Sequence, residues 1–155
     1  MSHAAPRSIS PVEVALDVTI EGADGERLAD GDLRRLFPGS VLTGVRLNRL
    51  HNWPRLVVRI GGLPIAVATY TQIDGGTQIP DFALDVPRRL ASDDSTLRRR
   101  AVYALVNAIE MAALAGACHR VLIIPPREIV SMLERRGYAV VSEGCGGAWM
   151  ERDLG

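Results

Sequence analysis

Three consecutive arginines, Arg98, Arg99 and Arg100, stand where a long apolar helix begins. A helix start already carries unpaired N–H groups and partial positive charge, so three cations there are unfavourable unless something negative meets them. Either Asp93 and Asp94, just ahead, neutralise them or a bound anion does. Two carboxylates, Asp81 and Asp85, fall on one side of a run with the two-residue period of a strand. Tyr138 follows Gly137, His119 stands alone before an apolar run, and Glu110 falls mid-helix and reads as a surface residue. Trp53 and Trp149 either line a cleft or fill the core. Cys118 and Cys145 are too few for a disulfide framework and lack metal-ligand spacing, and Cys118 reads as a small core residue. There is no Gly-x-Ser-x-Gly elbow, no Walker loop and no paired His or Cys spacing for zinc.

These residues need a scaffold, and 155 residues suffice for one domain with a substantial core. Residues 1–11 read as a flexible N-terminus without a secretory apolar segment, and residues 12–155 as a single domain. No apolar run is long enough to span a bilayer. The formal net charge is zero, which removes any general electrostatic case for nucleic acid. A reducing, cytoplasmic setting is the expectation from two unpatterned cysteines.

The chain then divides by period. Val12 to Ile20 alternates as a half-buried strand, and Leu28 to Phe37 is a short helical pattern stopped by Pro38-Gly39. Val41 to Leu50 fits neither period. Leu56–Ile60, Ile65–Ile73 and Ile79–Val86 form a meander divided by Gly61-Gly62 and Asp74-Gly75-Gly76, with Pro80 placed near the start of its third run. Any of Asp93, Asp94 or Ser95 can cap the next helix, whose stripe of Leu97, Ala101, Leu105 and Ile109 ends at Gly116, taken as its C′ residue. Val121–Ile124 reads as a strand buried on both faces. A second helix follows Pro125-Pro126 with Ile129, Met132 and Leu133 inward, and two last strands cover Tyr138–Val141 and Ala148–Met150. A helix between two strands implies a crossover, hence an α/β (α+β) fold with a mixed, mostly antiparallel central sheet flanked by helices.

This order resembles the GCN5-related N-acetyltransferase (GNAT) family from about Val12 onward. The resemblance rests on Leu56–Ala68 with Gly61-Gly62, on Leu84-Asp85-Val86-Pro87, and on Ala115–Ile123 as a helix-to-fifth-strand junction. It rests also on Met132-Leu133-Glu134-Arg135-Arg136-Gly137-Tyr138, similar to the family's Phe-Tyr-x-x-x-Gly-Phe segment, and on the ending Met150–Leu154.

The resemblance implies transfer of an acyl group, in the first instance acetyl, from acetyl-CoA or another acyl-CoA to the amine of a small molecule or peptide. It implies no nucleic-acid or membrane partner and leaves room for a homodimer. Main-chain groups of Leu84, Asp85 and Val86 would hold the pantetheine arm, and the phosphates would meet the stretch Arg98, Arg99, Arg100 and Ala101. The family's glycine-rich phosphate turn is degenerate there, with Thr96 and Arg99 in place of its first polar residue and first glycine, so side chains would replace backbone contacts. Asp81 or Asp85 would take the amine's proton; Leu133 occupies the family's usual tyrosine position, and Tyr138, at the family's usually core aromatic after the glycine, is the further catalytic candidate. Pro126 occupies that of its usual asparagine. Two alternatives share this scaffold: an acyl-carrier protein as donor, or a GNAT-fold binding or assembly protein without catalysis.

Overall fold

The computed structural model of the chain describes residues 16–21, 28–37, 44–86, 94–144 and 147–155. The expected N-terminal tail, the start of the first strand, the connection before Asp94 and Cys145 lie outside the described residues. In order come β1 (Asp17–Glu21), α1 (Asp30–Leu36), α2 (Gly44–Asn52), β2 (Arg55–Ile60), β3 (Leu63–Ile73), β4 (Gly76–Leu84) and α3 (Asp94–Ala115). Then follow β5 (Arg120–Ile123), a 3-10 turn (Arg127–Ile129), α4 (Val130–Arg135), β6 (Ala139–Gly144) and β7 (Gly147–Asp153).

One 7-stranded sheet runs β1-β2-β3-β4-β5-β7-β6. All neighbours are antiparallel except β4 and β5, which α3 joins as a crossover. The mixed, mostly antiparallel sheet expected from the element order is therefore present. Both tight hairpins turn on backbone that only glycine adopts cheaply: Gly61 and Gly62 have φ of 54° and 84°, and Gly75 has 77°.

Two cores sandwich the sheet. Leu97, Ala101, Leu105 and Ile109 of α3 and Leu133 of α4 are fully buried against Leu56, Val58, Ala66 and Ala68. On the opposite face Leu33, Leu36 and Phe37 and Leu50 of α2 cover Val57, Val67 and Ala83. The ambiguous stretch before Leu50 is thus helix α2. Its polar residues outnumber its apolar ones, and among its described side chains Leu47 and Leu50 mark the inward side.

The end of α3 corrects one expectation. Cys118 N–H bonds to Ala113 O at 2.8 Å and Ala117 N–H to Leu114 O at 3.0 Å. That pattern places Ala117, not Gly116, at C′, and Ala117 carries the left-handed φ of 58°.

Candidate active site

The site begins where two strands stop pairing. β4 and β5 run parallel from Gly76 opposite Arg120 to Ile79 opposite Ile123, and Ile124 N–H then bonds to Ile79 O at 3.1 Å. Pro126, the next position on β5 whose N–H would face β4, has none to continue the ladder. Pro80 was expected near a strand start; it lies mid-strand in β4 instead, at a bulge where the β3 register shifts between Thr69 and Thr71. Such an irregularity frees proline from ladder duty.

The bulge also decides which main-chain groups face the gap. Asp85 N–H is bonded to Ile65 O at 2.8 Å, and the alternation of an antiparallel pair then commits Ala83 and Asp81 to β3 as well. Phe82 and Leu84 are left with their N–H and C=O groups directed to the edge that β5 has abandoned. Asp85, expected among the main-chain contacts to a donor, is therefore spent on β3.

Two cavities open on opposite faces of the sheet at this gap. One, about 310 Å³, lies on the α1/α2 side among Phe37, Arg46, Asp81, Leu84, Pro125 and Glu128. The other, about 320 Å³, lies on the α3/α4 side among Leu84, Arg98, Arg99, Val102, Glu128 and Met132. Leu84 and Glu128 line both.

Asp81 forms the polar floor of the first cavity. Its side chain is buried and both oxygens are occupied: Arg49 donates from Nε to Oδ2 at 2.7 Å and from Nη2 to Oδ1 at 2.9 Å. Thr69 Oγ1 donates to Oδ2 at 2.7 Å, and Arg46 Nε stands 3.3 Å from Oδ1. The bond to Asp81 holds the Arg49 guanidinium above its usual range, against a smaller opposing effect of burial. Arg46 lies with its guanidinium 5.5 Å from the Phe37 ring centroid, an arrangement that holds one face of the cation against the cavity wall. Asp81 lies on β4, and its contacts with Arg46 and Arg49 tie helix α2 to the sheet. Asp85 lies beyond β4 and pairs with Arg35 Nη1 at 2.9 Å, tying α1 to the strand end.

The arginine run divides three ways. Arg98 reaches 30 residues along the chain to Glu128, at 2.5 Å, and both line the second cavity. Arg99 is exposed on that wall and makes no ion pair among the described residues. Arg100 is half-buried and lies off the cavity lining, and Ala101 is fully buried in the core beneath α3. Because α3 starts at Asp94, the N–H groups of Arg98 to Ala101 are already inside the helix ladder. Ala101 is thus core, and an anion here meets side chains.

Tyr138 is also core. It is buried, and its hydroxyl donates to Glu110 Oε2 at 2.9 Å. Burial, with the Glu110 charge adding to it, pushes the phenol well above its ordinary range. Glu110, expected at the surface, is buried instead and accepts from Arg136 Nη2 at 2.7 Å and Arg152 Nη1 at 2.9 Å. Burial alone would raise this carboxyl; the bonds from Arg136, Tyr138 and Arg152 outweigh it and hold it below the usual value. The cluster ties α3 to β7 and the turn after α4, and its four residues line neither cavity. His119 is exposed, Cys118 is buried as expected, and Trp53 and Trp149 are half-buried, with Arg49 standing 6.0 Å from the Trp53 ring.

Sequence reasoning missed Arg46, Arg49 and Glu128. Nothing local marks the first two, whose partner is 32 or more residues away. Glu128 carries one usable signal: it follows Pro125-Pro126, where the strand must end. Among the described residues no group of His, Cys, Asp and Glu could hold a metal ion, and no helix is long and apolar enough to cross a membrane.

No family model and no curated protein matches the sequence. Solved structures do match the fold. The catalytic domain of Tetrahymena GCN5 histone acetyltransferase in complex with coenzyme A is 13% identical, with a TM-score of 0.62 over 90% of this chain and 93% of that one. IAA acetyltransferase from Bacillus cereus is 12% identical, with a TM-score of 0.61 over 90% and 100%. Ard1 from Thermoplasma volcanium is 13% identical, with a TM-score of 0.57 over 88% and 97%. The likeness at these identities is one of fold, and the chain has the GNAT fold.

Proposed function

We propose that this GNAT-fold chain is an N-acyltransferase, moving an acyl group, acetyl in its simplest form, from acyl-CoA to an amine. The observation that carries this reading is the pair of cavities meeting at the gap between β4 and β5, one on each face of the sheet. Two substrates can enter from opposite faces and react where Leu84 and Glu128 line both walls.

The donor fits the α3/α4 side. The free N–H and C=O groups of Phe82 and Leu84 offer a strand-like edge to an amide-bearing arm. Arg99, exposed on the wall, meets phosphate as a charge-assisted donor in place of a glycine-rich backbone cradle. An N–H of that same edge, directed at the thioester oxygen, stabilises the negative charge that develops there during attack. The acceptor fits the α1/α2 side, among Phe37, Arg46 and Asp81. Holding both reactants in line supplies a large share of the rate by proximity alone.

A second reading rests on Leu133. It is fully buried in the core, so the family's usual tyrosine acid has no counterpart at that position, and a CoA-binding protein without turnover is the outcome if nothing else moves protons. Thiol release from acetyl-CoA in the presence of amines separates the two. Amine-dependent release supports transfer; binding without release supports the second reading. The chain contains no lysine, so acetyl-lysine formed in a peptide assay comes from the added peptide and not from the protein.

A further inference from the structure

Three carboxylates stand at or beside the gap, and they differ in what they are free to do. Asp81 is saturated by Arg49, Arg46 and Thr69, and Asp85 is turned to Arg35. Glu128 stands apart from both. It is half-exposed, lines both cavities, and pairs with Arg98, itself on the donor wall. The other charged groups lining these cavities are Arg46 from α2, Arg99 from α3 and Asp81 from β4.

We propose that Glu128 is the base that takes the acceptor amine's proton, and that Arg98 is exchanged from Glu128 to a phosphate of the donor when acyl-CoA binds. The inference rests on the acyl-CoA reading of the same site. In the free protein the Arg98–Glu128 pair spans the wall between α3 and the turn ahead of α4, so Glu128 is held as an ion pair. An anionic donor competes for Arg98 with a stronger, multiply charged partner, and the Glu128 carboxylate is then released toward the α1/α2 cavity. There it accepts a proton from the ammonium form of the acceptor. The neutral nitrogen's lone pair forms the C–N bond at the thioester carbon, the C–S bond breaks and the thiolate leaves with that electron pair. Of the two protons then on nitrogen, one stays with the amide and the other passes to the thiolate, and Glu128 returns its own to solvent. Amide, thiol and one released proton account for every atom. Donor binding thus arms the base, which disfavours proton transfer in an empty site.

Glu128→Gln keeps the shape and removes both the ion pair and the base. Because Glu128 is half-exposed, the variant should unfold close to wild type. In calorimetric titration with acetyl-CoA, Glu128→Gln should bind several-fold tighter than wild type, since Arg98 no longer has to be detached, and Arg98→Ala should bind more weakly. Equal or weaker binding by Glu128→Gln overturns the exchange. In turnover with ethanolamine, protonated at neutral pH, Glu128→Gln should lose on the order of 100-fold in kcat. With hydroxylamine, whose nitrogen is already unprotonated there, it should stay near wild type. Retained turnover with ethanolamine, or equal loss with both amines, overturns the base. If wild type binds acetyl-CoA but transfers to neither amine, the acyltransferase reading falls while the binding arm still decides the exchange; if wild type does not bind acetyl-CoA, both fall.

Discussion

Ile124 donates its main-chain N–H to Ile79 O at 3.1 Å, and that bond closes the ladder between β4 and β5. Beyond it Pro126, the next position that would face β4, has no N–H to give, and β4 bulges at Pro80, so the strands part. The gap thus follows from one proline on β5 and one bulge on β4. Both cavities, the free main-chain edge of Phe82 and Leu84, and the placement of Glu128 depend on it.

Asp81→Asn should destabilise the protein without changing the shape of its pH–rate profile. The amide presents N–H groups to guanidiniums that need an acceptor, and breaking a buried ion pair costs about 3 kcal/mol. Thermal unfolding and initial rates across pH check this. Unchanged unfolding with a flattened acidic limb would make Asp81 the base after all.

Arg99→Ala should weaken acetyl-CoA binding roughly tenfold at low salt and less at high salt, because an exposed cation contributes by a screened electrostatic contact. Titrations at two ionic strengths read this directly. An affinity independent of both substitution and salt would remove Arg99 from the donor site.

Glu110 makes stability depend on pH in a defined window. Its folded value lies below the ordinary 4.5, so its contribution is fully present above about pH 4.5 and is lost as pH falls through the folded value. Denaturant unfolding should show wild type losing stability toward pH 3 more steeply than Glu110→Gln. At neutral pH Glu110→Ala should cost about 3 kcal/mol, since it strands Arg136 and Arg152. Parallel pH curves for wild type and Glu110→Gln would refute the assignment.

Ala117→Gly should stabilise the protein by about 1 kcal/mol. Alanine at a φ of 58° pays a left-handed penalty that glycine avoids, partly offset by glycine's greater freedom in the unfolded chain. An unfolding midpoint below that of wild type would contradict this.

Strand and helix periods carried the meander, α3, β5 and their order, because those elements are buried and their apolar residues recur at the right spacing. Helix α2 escaped notice because Leu47 and Leu50 are its few marks of an inward face. Residues 81, 98 and 138 were visible as chemistry, yet their surroundings were not, since each meets a partner far along the chain. Tyr138 meets Glu110 at a separation of 28 residues, and Arg98 meets Glu128 at 30. The positive φ at Ala117 was misassigned to Gly116 because glycine is the usual residue there and the helix runs one residue longer than its stripe suggests.

The reading stands or falls on donor binding at the gap. Titration of the wild-type protein with acetyl-CoA, followed by calorimetry, should show one site per chain with a Kd between about 1 μM and 1 mM, the usual span for such substrates. The tethering of the donor along the Phe82–Leu84 edge predicts that coenzyme A, which keeps the same arm and phosphates, binds with similar affinity. No heat and no rise in unfolding temperature at millimolar acetyl-CoA would contradict the account.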